Sequence, residues 1–174
     1  MTEFTNKSII ITGAAGNLGA AVAAAFAAAG ARIALVDISE ERLLQTQAAL
    51  PQQAQSIIIP TNLIEADAVA AMVRDVDEQF HTIDILANIA GGFTMGPLLH
   101  ETGDRDWDIK MDLNLRSIFN SCREVIPRKR QSGGGRITNL SARAARAGKA
   151  KMGPSCASKA AVITLTESLS AENR

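Results

Sequence analysis

One segment constrains the fold more than any other. In "SIIITGAAGNLG", residues 8–19, an unbroken β-branched run passes directly into a glycine-rich turn and then into an alanine-rich stretch. A run that is apolar at every position has no face to give to water, and it fits a parallel strand covered on both sides. The pattern recurs along the chain. Residues 32–37, 56–60, 83–88 and 136–140 read as further strands, and residues 18–29, 40–50, 65–80, roughly 106–126 and 155–172 carry helical periodicity. Gly30, Pro51, Pro127 and the "SGGG" of residues 132–135 punctuate the junctions. Strand and helix in strict alternation predict an α/β chain, a doubly wound parallel sheet with helices on both faces. The last helix delivers the chain to no further strand, which leaves residues 136–140 as an expected sheet edge. Either the chain is a piece of something longer or a partner covers that edge.

With 174 residues, 47% of them hydrophobic, the chain can bury one sizeable core, so a single domain spanning residues 1–174 is expected. Lys plus Arg (18) balances Asp plus Glu (18). No net field draws the chain to nucleic acid or a membrane surface, and neither is an expected partner. The opening "MTEFTNKSIII" lacks the basic head and long apolar run of a signal peptide, and no stretch is long enough to cross a bilayer. A cytoplasmic location follows as the expectation. Cys122 and Cys156 have no metal-type spacing and read as small core residues, so no metal is expected. His81 and His100 read as solvated, Trp107 as packing the start of the long helix, and Arg128, Lys129 and Arg130 as a solvated helix end. The basic stretch Arg143, Arg146, Lys149 and Lys151 reads as a solvated loop. The chain contains no tyrosine.

The first turn carries the clearest chemistry. Gly13, Ala15, Gly16, Asn17, Leu18 and Gly19 connect a strand to a helix. There glycines let backbone approach a pyrophosphate, and the free N–H groups of the helix stabilise its charge. A tight turn needing glycine for steric reasons alone is the plainer alternative. Asp37 ends the second strand about 20 residues on, where a carboxylate can accept both ribose hydroxyls of an adenosine. Its alternative is a helix N-cap. Asp37 would repel a 2′-phosphate, and none of Gly16, Asn17 and Ile38 is a cation, so NAD is favoured over NADP.

Four more segments follow in order: "NIAGG" (88–92), "DLNLRSIF" (112–119), "GGGRITNLSA" (133–142) and "SCASKAAV" (155–162). With the first turn, this set resembles the short-chain dehydrogenase/reductase family over essentially the whole chain. The resemblance implies a Rossmann-type domain lacking the family's last strands. It also implies hydride transfer between a nicotinamide cofactor and a small alcohol or carbonyl substrate. It assigns Asn88, Ala90 and Gly91 to bracing the sheet and lining the cofactor cleft. Asn62, more often an aspartate in the family, and the backbone of Leu63 would contact adenine, and Asn114 would hold a water in a proton relay. Lys159 would bind the nicotinamide ribose and lower the pKa of a tyrosine four residues earlier, while a serine thirteen residues before that tyrosine orients the substrate oxygen. The glycine motif departs mildly: Asn17 stands at the family's usual middle glycine, and Gly16 lies one place earlier.

The catalytic positions depart further. Counting back from Lys159 puts Ser155 at the tyrosine position and Ala142 at the serine position, with Ser141 one residue off and on the opposite face of a strand. An aliphatic hydroxyl is shorter than a phenol and far less acidic. Losing a positioned acid or base costs about 10² to 10⁴-fold. An NAD site with impaired dehydrogenase turnover is therefore expected. A catalytically silent NAD-binding or oligomerisation module remains as an alternative, and more remotely a Ser155 and Lys159 hydrolase-type dyad. The final helix is apolar almost all round, and the family pairs it with the long helix across a two-fold axis, so a homodimer or homotetramer is expected. The loop "GFTMGPLLHE" after Gly91 hints at an apolar substrate pocket.

Overall fold

Five parallel strands, β1 (Ser8–Thr12), β2 (Arg32–Asp37), β3 (Gln55–Pro60), β4 (Ile85–Asn88) and β5 (Arg136–Asn139), form one sheet in the order β3-β2-β1-β4-β5. This computed structural model describes residues 4–173; Met1 to Glu3, the head of the segment read for a signal peptide, and Arg174 lie outside the described residues. The central strand β1 is buried at all five positions, as its unbroken apolar run requires. Its side chains divide between two cores. Ile9 and Ile11 face a cluster with Ala23, Ala27 and Leu43 from α1 (Asn17–Ala28) and α2 (Glu40–Ala48). Ile10 faces the opposite cluster, with Val69, Val73 and Val76 of α3 (Ala66–Phe80) and residues of the later helices. Helices thus cover both faces, as the alternation predicts. Edge strand β5 is only half-buried.

The long helix is where structure and sequence differ most. It starts at Asp104 as α4 (Asp104–Met111), passes through a π-helical turn (Asp112–Arg116), and continues as α5 (Ser117–Gln131). Pro127, expected to end it, lies inside α5. Proline removes one helical N–H, but Val125 is fully buried in the core and Lys129 ties the following turn to the sheet, so tertiary contacts carry the helix past it. The solvated reading of Lys129 is corrected. Its side chain is 5% exposed, and its ammonium donates to the carbonyls of Ile83 (2.9 Å) and Asp84 (2.6 Å). Burial pulls its pKa down to about 8. The last helix, α6 (Gly153–Glu172), begins two residues before Ser155, with Pro154 in its first turn. Of its apolar residues Val162 is buried, while Leu165 and Leu169 remain partly exposed.

Candidate functional site

Strand order reverses direction between β1 and β4, and a ligand cleft in such a sheet opens past the carboxyl ends of the strands at that switch. Two loops meet there. Gly13 has φ 69°, and a Cβ on it would lie 2.7 Å from the Ala90 backbone. Glycine is required by both the turn and the close approach. Thr12 locks the junction, its Oγ1 accepting the N–H groups of Ile89 (3.1 Å) and Ala90 (3.2 Å). A Cβ on Gly19 would sit 2.1 Å from the Gly13 carbonyl oxygen, so only glycine lets α1 seat this closely on the turn. Gly16 caps α1 with no side chain, and the first turn of α1 carries no acid. Its N–H groups and positive end are left for an anion.

The resulting cleft, about 450 Å³, brings together Gly13, Gly16, Asn17, Leu18 and Gly19 with Asp37, Asn62, Leu63, Ala90 and Gly91. Ala15 and Asn88 stand behind it. The Ala15 peptide is held from both sides: its N–H donates to Asp37 Oδ2 (3.2 Å), and its carbonyl accepts from Arg42 Nη2 (2.7 Å). Asp37 is not the N-cap of α2, a place taken by Ser39, which accepts from the Arg42 N–H. Asn88 is 1% exposed and braces the sheet, its amide donating to Asn139 Oδ1 at 2.8 Å. Arg42, Asn120 and Thr12 belong to this site and escaped the sequence reading. Asn120 donates to the carbonyls of Leu63 (3.0 Å) and Ile64 (3.2 Å), which holds the Asn62 loop. The only sequence signals for them were a polar residue on an apolar helix face and an arginine one turn into α2.

A second cluster adjoins the cleft. The π turn carries Asn114, fully buried, and its side chain grips the Gly92 peptide at both ends. Oδ1 accepts the N–H at 2.8 Å and Nδ2 donates to the carbonyl at 3.0 Å, with a further bond to Ser158 Oγ at 2.9 Å. Gly91, φ 154°, leaves room for a side chain on neither side. A Cβ there would come within 2.7 Å of Asn114 Oδ1 and 2.9 Å of Lys159 Nζ. Lys159 is 4% exposed, donates to the Leu140 carbonyl (2.8 Å), and has its pKa lowered by burial. Ser155 lies four residues earlier on α6, 1% exposed, and its hydroxyl exchanges hydrogen bonds with the Thr94 backbone, accepting from the N–H (3.4 Å) and donating to the carbonyl (3.3 Å).

Ser155 and Lys159 therefore point their polar atoms at different partners, and the dyad expected of a hydrolase does not form. Ser141 Oγ is engaged as well, donating to the Lys159 carbonyl (2.7 Å). Ala142 lines a separate cavity with Arg143, Arg146 and Ile163. The loop after Gly91 leaves Met95 and Leu99 largely exposed. A larger cavity, about 740 Å³, runs along the open edge of β5 between α5 and α6, away from the glycine turn. Cys122 and Cys156 are free and buried, and burial pushes the Cys122 thiol up to about 11. Among the described residues there is no grouping of three or more His, Cys, Asp or Glu side chains suited to a metal ion. Among the same residues no helix is long and apolar enough to cross a membrane.

Comparison with known proteins agrees with this geometry. The short chain dehydrogenase family model matches residues 7–174. Galactitol 2-dehydrogenase of Agrobacterium fabrum (strain C58 / ATCC 33970) is 39% identical over 171 residues, covering 95% of this chain and 64% of the relative. D-threitol dehydrogenase of Mycolicibacterium smegmatis is 35% identical over 167 residues, with 95% and 64% covered. A crystal structure of NAD+-bound xylitol dehydrogenase superposes with a TM-score of 0.94 at 28% identity, covering 98% of this chain and 66% of that one. The chain thus spans about two thirds of the length of these relatives. It belongs to the short-chain dehydrogenase family.

Proposed function

We propose that this chain is an NAD(H)-binding oxidoreductase domain whose own turnover of alcohols or carbonyls is impaired. The cleft fits the dinucleotide. Gly13 and Gly19 keep its floor free of side chains, the first turn of α1 offers N–H groups to a pyrophosphate, and Asp37 stands where a ribose would lie. Asn62 and Leu63 line the end of the cleft assigned to adenine, and Lys159 stands beside Gly91 at the other. Bound there, the cofactor would supply or accept a hydride at a carbon bearing oxygen.

The observation that carries the impairment is the state of Ser155. Its hydroxyl is buried and bonded on both counts to Thr94, the Ala142 methyl has no hydrogen bond to give, and the chain has no phenol to substitute. Lys159 keeps a cation to bind ribose hydroxyls but has no tyrosine to acidify. A substrate oxygen in this site would find neither a phenol nor a free hydroxyl positioned to take or give its proton. Asn114, with both ends of its amide engaged by Gly92, acts as a brace that shapes the floor beneath Gly91. The preference for NAD over NADP rests on the Asp37 carboxylate.

We further propose pairing of two copies across the groove lined by Leu115, Phe119, Ala161 and Leu165, where Phe119 is 46% exposed. The test of the main reading is a fluorescence titration with NADH and NADPH followed by a polyol oxidation assay on the same sample. Saturable NADH binding, weaker NADPH binding and turnover near background are expected. Absence of NADH binding overturns the cofactor reading, and rates typical of active family members overturn the impairment.

A further inference from the structure

The balanced total charge conceals a segregated one. Between Glu124 and Glu167 the chain has nine Lys and Arg residues and no Asp or Glu, so half of its 18 cations fall in one stretch. The fold sorts them. Lys129 and Lys159 are buried, Arg128 pairs with Asp77 and Glu124, and Arg130 bonds Asn173 and the Glu172 carbonyl. Arg136 opens β5 at the amino end of the sheet. The other four, Arg143, Arg146, Lys149 and Lys151, are exposed and gathered between the carboxyl end of β5 and α6, the end where Ala142, Ser155 and Lys159 stand.

Two cavities flank those three residues, and cations line both. Arg143 and Arg146 line one of about 490 Å³ together with Ser141 and Ala142. Lys151 and Lys110 line one of about 270 Å³ that reaches Ser155, with Asp106 as its single carboxylate. None of the five cations Lys110, Arg143, Arg146, Lys149 and Lys151 forms an ion pair among the described residues. The segment is held in place. Arg143 starts a 3-10 turn, and the Lys151 carbonyl accepts the Gly96 N–H at 2.7 Å. Lys151 has φ 61°, a left-handed conformation uncommon for a residue with a side chain and concentrated at binding sites. The four cations lining the two cavities share one carboxylate, Asp106, and an anion would offset the excess of like charge.

We propose that the substrate side of this site takes an anionic molecule: an alcohol or carbonyl compound whose far end carries a phosphate monoester or carboxylate, gripped by Arg143 and Arg146, with Lys151 and Lys110 of the neighbouring cavity adding positive charge around the site. This rests on the cofactor-site reading above, which places the substrate beside Ala142 and Ser155. Guanidinium pairs suit such groups because their forked donors match two anionic oxygens at once.

The experiment measures calorimetric binding of glucitol, glucitol 6-phosphate and gluconate to the full chain with NADH present, in parallel with NADH titration. The anionic ligands should bind about tenfold or more tightly than glucitol. Arg143→Gln combined with Arg146→Gln should abolish that advantage while leaving NADH affinity unchanged. Arg136→Gln, at the far end of β5, should leave it intact. Equal affinity for glucitol and both anionic ligands overturns the proposal, as does an equal loss in Arg136→Gln, which would mark a diffuse field. Either result with NADH binding intact leaves the cofactor reading standing, so the two ideas fail separately.

Discussion

Replacing Gly91 by alanine attacks a point where the glycine-lined cleft meets the Asn114 and Lys159 cluster. The new Cβ would lie 2.7 Å from Asn114 Oδ1 and 2.9 Å from Lys159 Nζ, well inside contact distance, on a backbone with φ 154° that side chains disfavour. Asn114 has no free direction to retreat, since its amide already bonds the Gly92 N–H, the Gly92 carbonyl and Ser158 Oγ. Relief requires breaking the grip on Gly92. Backbone strain of about 1 to 2 kcal/mol, with two largely buried hydrogen bonds at about 1 kcal/mol each, gives a loss of about 3 to 4 kcal/mol. For a chain of this size, that lowers the melting temperature by about 6 to 16 °C. The same movement pushes the Lys159 ammonium away from the cleft, so NADH affinity should fall as well. Thermal melts and NADH titrations of Gly91→Ala read both. A variant that melts within about 2 °C of the parent and binds NADH unchanged would refute the clamp.

Three further outcomes are expected. Lys129 has a folded pKa of about 8, below its unfolded value, so the unfolded chain holds more protons between about pH 8 and 10.5. Lys129 should therefore contribute a rise in stability with pH across that window of about 1 to 2 kcal/mol after allowing for solvent screening, with Lys159 adding in the same direction and the Cys122 thiol, held up to about 11, opposing it above about pH 9. Urea unfolding of the parent and of Lys129→Met isolates that contribution: the difference between the two pH profiles should carry the rise, since the Cys122 titration is common to both. Ser155→Tyr with Ala142→Ser should raise polyol turnover by about 10²-fold where NADH binding is retained, once the Thr94 loop makes way for the phenol; no gain with the cofactor bound would count against acid–base loss as the cause. Light scattering at micromolar concentration should report a dimer or larger, and Phe119→Asp should shift it to monomer, whereas a monomeric parent removes the paired-helix proposal.

Strand and helix order were legible because apolar runs and helical periodicity are local signals, and the sheet came out with the expected parallel strands. The glycine turn and Asp37 were legible for a similar reason, since a strand, a tight turn and a helix start lie within a dozen residues. Arg42 and Asn120 were not, because an arginine on a polar helix face and an asparagine on an apolar one look ordinary until folding sets them against Ala15 and the Leu63 loop. Pro127 and Lys129 misled in the opposite way. Their local meaning, a helix end in water, was overridden by packing of α5 on the core and by the carbonyls of Ile83 and Asp84, just before β4, which accept from the Lys129 ammonium.

By itself the sequence determined the alternation that makes a doubly wound sheet and the order of the segments that mark the family. It also determined the absence of any phenol, a fact of composition that no fold can reverse. Tertiary structure alone decided what became of Ser155 and Ala142, which the family resemblance sets at its tyrosine and serine positions. Ser155 is drawn into the Thr94 backbone and away from Lys159, because a buried hydroxyl must find partners and the nearest lie on the loop after β4. It also decided that a chain of zero net charge presents unpaired cations on one side of its site, because charge balance is a sum over the sequence while a field depends on where the fold places each term.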